Sequence, residues 1–180
     1  PDGRQVALSI EVYTDCGTLA CSKQRLDEAG ARKASGMVFD KTFIRHWDAY
    51  SDGRRNQLFA AGFDAAGKLS ATPKLVSRGI DGDVPSKPFG DAEEFNWAPD
   101  GKSLAFNARI AGRSESWSTN FDVFVAEVEG NAAPRNLTAA NPAWDAAPVY
   151  RADGRALYYR AMKRAGFEAD RFWLMELDLA

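Results

Sequence analysis

Residues 95–106 read Phe-Asn-Trp-Ala-Pro-Asp-Gly-Lys-Ser-Leu-Ala-Phe. Two apolar side chains, Phe95 and Trp97, lead into Pro99-Asp100-Gly101, and Leu104 and Phe106 then alternate with small or polar residues. Proline presets φ for a turn, aspartate bonds its own backbone, and glycine adopts positive φ without steric cost. Alternation with a period of two marks the next segment as a half-buried strand. The stretch predicts a β-hairpin.

The phrase returns. Residues 149–159 read V-Y-R-A-D-G-R-A-L-Y-Y, and the chain opens on P-D-G-R-Q-V-A-L. After the central hairpin, 122–128 and 134–138 each read as a further strand. Recurrence of such a unit points to a repeat architecture, in which each unit buries its faces against its neighbours. The reading is three units. The first, 1–78, lacks its first strand and carries a long non-periodic insertion at 13–55. The second, 94–138, is complete, and the third, 147–180, lacks its last strand. On this reading the sequence is an internal piece of a longer chain. Within the first unit we expect a strand at 1–12 and a short helix at 22–33 capped by Ser22. An extended arm over 41–50, turned by Ser51-Asp52-Gly53, leads to strands at 56–63 and 73–77. Residues 79–92 are a Gly/Pro/Asp connection.

The order W-x-P-D-G-x-x-L-A-F, then D-V-F-V-A-E-V, then P-R-N-L-T resembles the blade repeat of TolB-type propellers and of the propeller in prolyl oligopeptidase-family serine peptidases. The resemblance implies an all-β fold, a partial β-propeller of four-stranded antiparallel blades. The motif R-H-W-D-x-Y-x-D-G-x-R at 45–55 resembles the arm that joins two strands of one blade in the dipeptidyl- and acylaminoacyl-peptidase branch. It implies a non-catalytic segment that gates and shapes the approach of short peptides. The chemistry would belong to a C-terminal α/β-hydrolase domain of the parent chain, with the remaining blades as further partners. Peptidases of this family that cut dipeptides from a free amino terminus hold the substrate ammonium with propeller carboxylates. Glu93-Glu94 is similar to such a pair, and with Arg45, His46 and Asp48 it makes up the expected substrate-binding set. The repeat fits equally a TolB-like periplasmic propeller that binds a protein, which is the alternative. A propeller enzyme acting on sugars or lactones would need channel carboxylates or metal ligands that this sequence does not assemble.

A net charge of −2 gives no electrostatic reason for a nucleic-acid partner. No apolar run approaches the ~20 residues of a membrane span. No G-x-S-x-G occurs and His46 is the only histidine, so no catalytic triad is expected in this segment. Gly101-Lys102-Ser103 imitates a phosphate loop, but Asn96 stands where the earlier glycine is needed. Asp81-Gly82-Asp83 lacks the spaced carboxylates of a calcium loop. No cofactor is expected. Cys16 and Cys21 are the only cysteines and have no partners for a metal site. Either they form a local disulfide, suited to a periplasmic or secreted protein, or they are two free thiols in a cytoplasmic one. Asn136-Leu137-Thr138 fits a glycan sequon but falls on a strand phrase. Trp97 and Trp173 are predicted in the core, while Trp117 and Trp144, in connections, are candidates for binding.

Overall fold

The computed structural model describes residues 2–40, 43–69, 72–110 and 112–179. Pro1 of the opening phrase, Lys41 and Thr42 of the expected arm, and Ser70, Ala71, Ala111 and Ala180 lie outside them. The chain is all-β. It begins with β1 (Gln5–Tyr13), passes through a helix, α1 (Leu19–Gly30), and a small hairpin of β2 (Arg45–His46) and β3 (Ala49–Tyr50). It returns in β4 (Arg54–Gly62), antiparallel to β1 from Gln5 opposite Gly62 to Tyr13 opposite Arg54. β5 (Lys74–Leu75) completes a first sheet in the order β1-β4-β5. The second sheet is β6 (Phe95–Trp97), β7 (Ser103–Ala108), β8 (Asp122–Glu127) and β9 (Arg135–Asn136), neighbours in chain order. The third is β10 (Asp145–Tyr150), β11 (Ala156–Ala161) and β12 (Trp173–Asp178).

Local chemistry explains the recurring turn. Asp2, Asp100 and Asp153 each accept, through Oδ1, the N–H two residues on, at 3.0 Å. The intervening Gly3, Gly101 and Gly154 hold φ of 72°, 70° and 73°, a region that penalises any Cβ. The hairpin expected at 95–106 is therefore formed, with Phe95 opposite Phe106 and Trp97 opposite Leu104. A second device closes the outer strands, which are shorter than the 73–77 and 134–138 runs suggested. Ser77 Oγ accepts the Leu58 N–H at 2.9 Å, and Thr138 Oγ1 accepts the Val123 N–H at 2.9 Å. Each hydroxyl takes the place of a backbone carbonyl, so the ladder stops after two residues.

Strand alternation sends successive side chains of β7 to opposite faces. Leu104, Phe106 and Ala108 join Leu58, Ala60 and Val76 of the first sheet in one core, completed by Phe124 and Ala126 of β8. Ala105, with Val123, meets Leu157 of the third sheet in another. The second sheet is thus buried between its neighbours. Asparagines stitch its inner strands to β10: Asn96 Oδ1 accepts the Tyr150 N–H at 2.9 Å and Asn107 Oδ1 the Ala147 N–H at 3.0 Å. Ala147, at φ 52°, sits in a bulge where the β10–β11 register shifts, beside the buried Pro148.

The helix starts three residues earlier than expected, and its cap is Thr18, not Ser22. Thr18 is extended, and its Oγ1 accepts the Cys21 N–H at 3.1 Å. Ser22 is buried, and its hydroxyl accepts the Tyr13 N–H instead, tying the helix to β1. Cys16 and Cys21 are joined in a disulfide that encloses the cap. Exchanging both for serine should lower stability by about 2 kcal/mol, the loop-entropy value for so short a closure; urea denaturation with and without reductant checks this. The expected arm is also corrected. It is not extended throughout, and the chain reverses at Trp47-Asp48, with Arg45 opposite Tyr50 and His46 opposite Ala49. The Asp52-Gly53 turn follows the reversal, Asp52 Oδ1 accepting the Arg54 N–H at 3.1 Å.

Candidate functional site

The end of β1 and the start of β4 lie at the same end of the array as the 109–121 connection between β7 and β8. Gly82 marks the closeness of the two sheets there: a Cβ on it would lie 2.5 Å from the Arg109 carbonyl oxygen. The β2–β3 hairpin, the 79–94 connection and the 109–121 connection gather at this end.

An ion network binds them. Arg55, on β4, grips Glu115 through both terminal nitrogens, the Nη2–Oε2 distance being 2.6 Å. It also reaches Asp83 at 3.1 Å and Asp81 at 3.5 Å. Asp83 accepts the Asn56 N–H at 2.8 Å through its other oxygen. Lys87 bonds Glu11 and lies 3.4 Å from Asp83, and Arg54 joins Glu11 at 2.9 Å to Asp52 at 2.8 Å. Three cations face five carboxylates, an excess of two negative charges. The Glu115 bonds raise the Arg55 guanidinium above its ordinary value against the opposing effect of burial. The pair is bidentate and largely shielded, the geometry in which Arg–carboxylate contacts are strongest.

The expected substrate-binding residues fall into two groups. Arg45, His46 and Asp48 lie on the small hairpin, Arg45 and Asp48 exposed and His46 half-buried. The Arg45 guanidinium sits 5.8 Å over the Tyr50 ring. Glu93 and Glu94 lie in a short 3-10 turn before β6 and face different surroundings. Glu93 is exposed. Glu94 is buried, and its oxygens accept the Ser86 N–H at 2.6 Å and the Ser86 hydroxyl at 2.7 Å. Glu94 therefore braces the 86–90 loop. No hydrogen bond or ion pair links the hairpin residues to Glu93 among the described residues. The hairpin instead meets the loop that Glu94 braces: Trp47 lies edge-on to Phe89 at 5.7 Å, and both are largely exposed, at 71% and 80%. Trp47 holds φ 51°. Such a backbone costs a bulky residue of order 1–3 kcal/mol and concentrates at functional positions.

Of the tryptophans expected to bind, Trp117 is exposed, whereas Trp144 stacks on Phe121 at 4.8 Å and closes a joint instead. Trp173, expected in the core, is half-buried between Lys163 at 4.2 Å and Arg171 at 3.7 Å. Sequence reasoning missed the Arg55 hub. Arg55 stood in the quoted arm motif and Asp83 in a plain loop, and nothing local marked Glu115. Among the described residues no group of three or more His, Cys, Asp or Glu side chains is placed to hold a metal ion. The arrangement places exposed rings on a rim braced by ion pairs and carrying an excess of carboxylate.

No protein-family model matches the chain. It is similar to Dipeptidyl-peptidase 5 of Porphyromonas gingivalis, 28% identical over 149 residues, covering 82% of this chain and 21% of that protein. Dipeptidyl-peptidase 5 of Trichophyton equinum is 29% identical over 160 residues, covering 81% of this chain and 22% of that protein. Probable dipeptidyl-peptidase 5 of Emericella nidulans is 25% identical over 161 residues, covering 82% and 22%. The chain spans about a fifth of the length of these relatives.

Proposed function

We propose that this chain is a non-catalytic stretch of a β-propeller in a serine peptidase of the prolyl oligopeptidase family, of the dipeptidyl or acylaminoacyl type. The observation that carries the reading is its similarity, over four-fifths of its length, to proteins named Dipeptidyl-peptidase 5. The three consecutive sheets, each with the same Asp-Gly turn leading into a strand, support a blade-by-blade arrangement with boundaries at 1–78, 94–138 and 147–180. Further blades would cover the outer faces of the first and third sheets. The bond chemistry would reside in an α/β-hydrolase domain, and the Trp47–Phe89 rim with Arg45, His46, Asp48 and Glu93 would select and orient short peptides before they reach it. Glu94 serves this site by holding the Ser86 loop. The Cys16–Cys21 disulfide suits a periplasmic or secreted setting.

The test compares the 180-residue chain with the longer protein that contains it. The chain alone should not turn over dipeptidyl-naphthylamides; the longer protein should. Glu93→Gln combined with His46→Ala in that protein should raise KM about tenfold with kcat within about twofold, the pattern of lost uniform binding. Turnover by the chain alone, or an unaltered kcat/KM, overturns the reading. One observation favours a second reading, a protein-binding propeller: Phe39, Phe43 and Tyr50, all exposed, cluster at 5.6 to 5.9 Å, and the β2–β3 hairpin that carries Tyr50 also carries the exposed Trp47, apolar surface of the kind that marks interfaces. A longer protein inert towards peptides but held by a partner protein through Trp47 would establish it.

A further inference from the structure

Among the described residues, four buried side-chain polar atoms have no partner: Asn107 Nδ2, Asp122 Oδ1, Trp144 Nε1 and Asp145 Oδ2. All four belong to one joint between the second and third sheets, where β7 ends and β8 and β10 begin. Folded proteins leave few such atoms, so their gathering at one point asks for a reason. Asp145 is fully buried. Its Oδ1 accepts the Asn141 Nδ2–H at 2.8 Å, and its main-chain N–H donates to the Phe121 carbonyl at 2.9 Å.

Among the described residues no cation pairs with the carboxyl. The groups that act on it are Asp122 of β8, Thr138 at the close of the outer strand, and Asn141 in the connection; Tyr159 of β11 feels its charge in turn. Arg109 is turned to the Phe121 ring, at 5.1 Å, and to the Ser118 carbonyl, at 2.8 Å. Arg160 lies 5.1 Å over the Phe172 ring, and Arg164 pairs with Asp170. Lys163 and Arg171 lie over Trp173. Ionised, Asp145 would be a buried negative charge near a second carboxylate. Protonated, it is neutral, removes the repulsion with Asp122, and gains a donor for Asp122 Oδ1, the one other acceptor among the four unpartnered atoms, Asn107 Nδ2 and Trp144 Nε1 being donors.

We propose that this joint is a pH-responsive latch, closed while Asp145 carries a proton and loosened when it ionises. The contacts it governs are those that fasten the two sheets. Trp144 stacks on Phe121 and meets Phe172 edge-on at 5.9 Å, and its carbonyl accepts the Met162 N–H at 2.8 Å. The Gly166 N–H donates to Thr119 Oγ1 at 2.8 Å, anchoring the 162–172 connection. Burial, aided by the Asp122 charge, pushes the Asp145 carboxyl up to about 6 from the ordinary 3.8. The closed form therefore keeps a proton that the unfolded chain has already released. Its stabilisation is complete below the ordinary value and is lost as pH rises through about 6. The opening constant should rise by up to about a hundredfold as pH climbs through that window.

The test is amide hydrogen exchange in the 180-residue chain, corrected for intrinsic rates. The Asp145, Met162 and Gly166 amides should lose at least about tenfold in protection between acid and neutral pH, the lower part of that range. The Leu58 amide, in the first sheet, should hold constant over the same interval. In Asp145→Asn the joint amides should show no such dependence, because the amide is neutral throughout and supplies its own donor. Flat protection in the unsubstituted chain, or an unchanged pH dependence in Asp145→Asn, overturns the proposal. Should that variant fail to fold, the Asp145 carboxyl resonance of the unsubstituted chain decides. A midpoint near 6 upholds the latch, and one near 3.8 removes it.

Discussion

Replacing Arg55 with methionine should destabilise the chain by about 3–5 kcal/mol, the cost of stranding buried carboxylates without their cation. The side chains of Asp83 and Glu115 are only 8% and 12% exposed, and that of Arg55 is 16% exposed. An exposed pair would contribute a fraction of this. The methionine keeps much of the apolar stem, so the loss reads the charge. Adding Glu115→Gln to Arg55→Met should recover part of it, because one uncompensated charge is then gone. Denaturant midpoints of the single and double variants measure both effects. A single variant within about 0.5 kcal/mol of the parent, the range of ordinary surface substitutions, would mean that the hub is solvated and does not brace the rim.

The second large effect lies in the core. Phe106→Ala should cost about 3–5 kcal/mol. Phe106 is fully buried, and its ring stacks on Phe124 at 5.7 Å with 16° between planes. It stands where β7 meets the first sheet, among Leu58, Val76 and Val84. Truncation opens a cavity between two sheets whose strands cannot close up without breaking their ladders. Val38→Ala, at a side chain 98% exposed, should change stability by no more than about 0.5 kcal/mol and serves as the control. Equal midpoints for the two variants would show that the first and second sheets do not depend on this contact.

What the sequence disclosed follows from how far the causes reach. The hairpins at Asp100-Gly101 and Asp153-Gly154 were readable because the aspartate that makes the turn bonds an N–H two residues away. The helix was placed three residues late because Thr18 and Ser22 are both sound caps. The choice between them is made by Tyr13, whose N–H takes the Ser22 hydroxyl from another element. The reversal at Trp47-Asp48 was hidden by a better local signal, Asp52-Gly53, since tryptophan at positive φ is disfavoured on its own. Of the candidate site, the hairpin residues and Glu93 were visible as a distinctive run and an acidic pair. The Arg55–Glu115 contact spans 60 residues and exists only because two sheets pack, so no window of sequence contains it. Glu94 was indistinguishable from Glu93 until burial separated them.

The side-chain hydroxyls that close the outer strands bear on how copies of this chain behave in crowded solution. An open sheet margin is a template on which another chain can add a strand, the first step towards fibrils. At the β5 and β9 margins of the first two sheets the template amounts to Lys74-Leu75 and Arg135-Asn136, two residues each and each carrying a cation, whereas the opposite margin of the first sheet, β1, runs for nine residues. Ser77 and Thr138 turn the backbone away before a longer row of amides is offered. The same small hydroxyl that ends a ladder thus also guards the β5 and β9 margins against self-templated assembly.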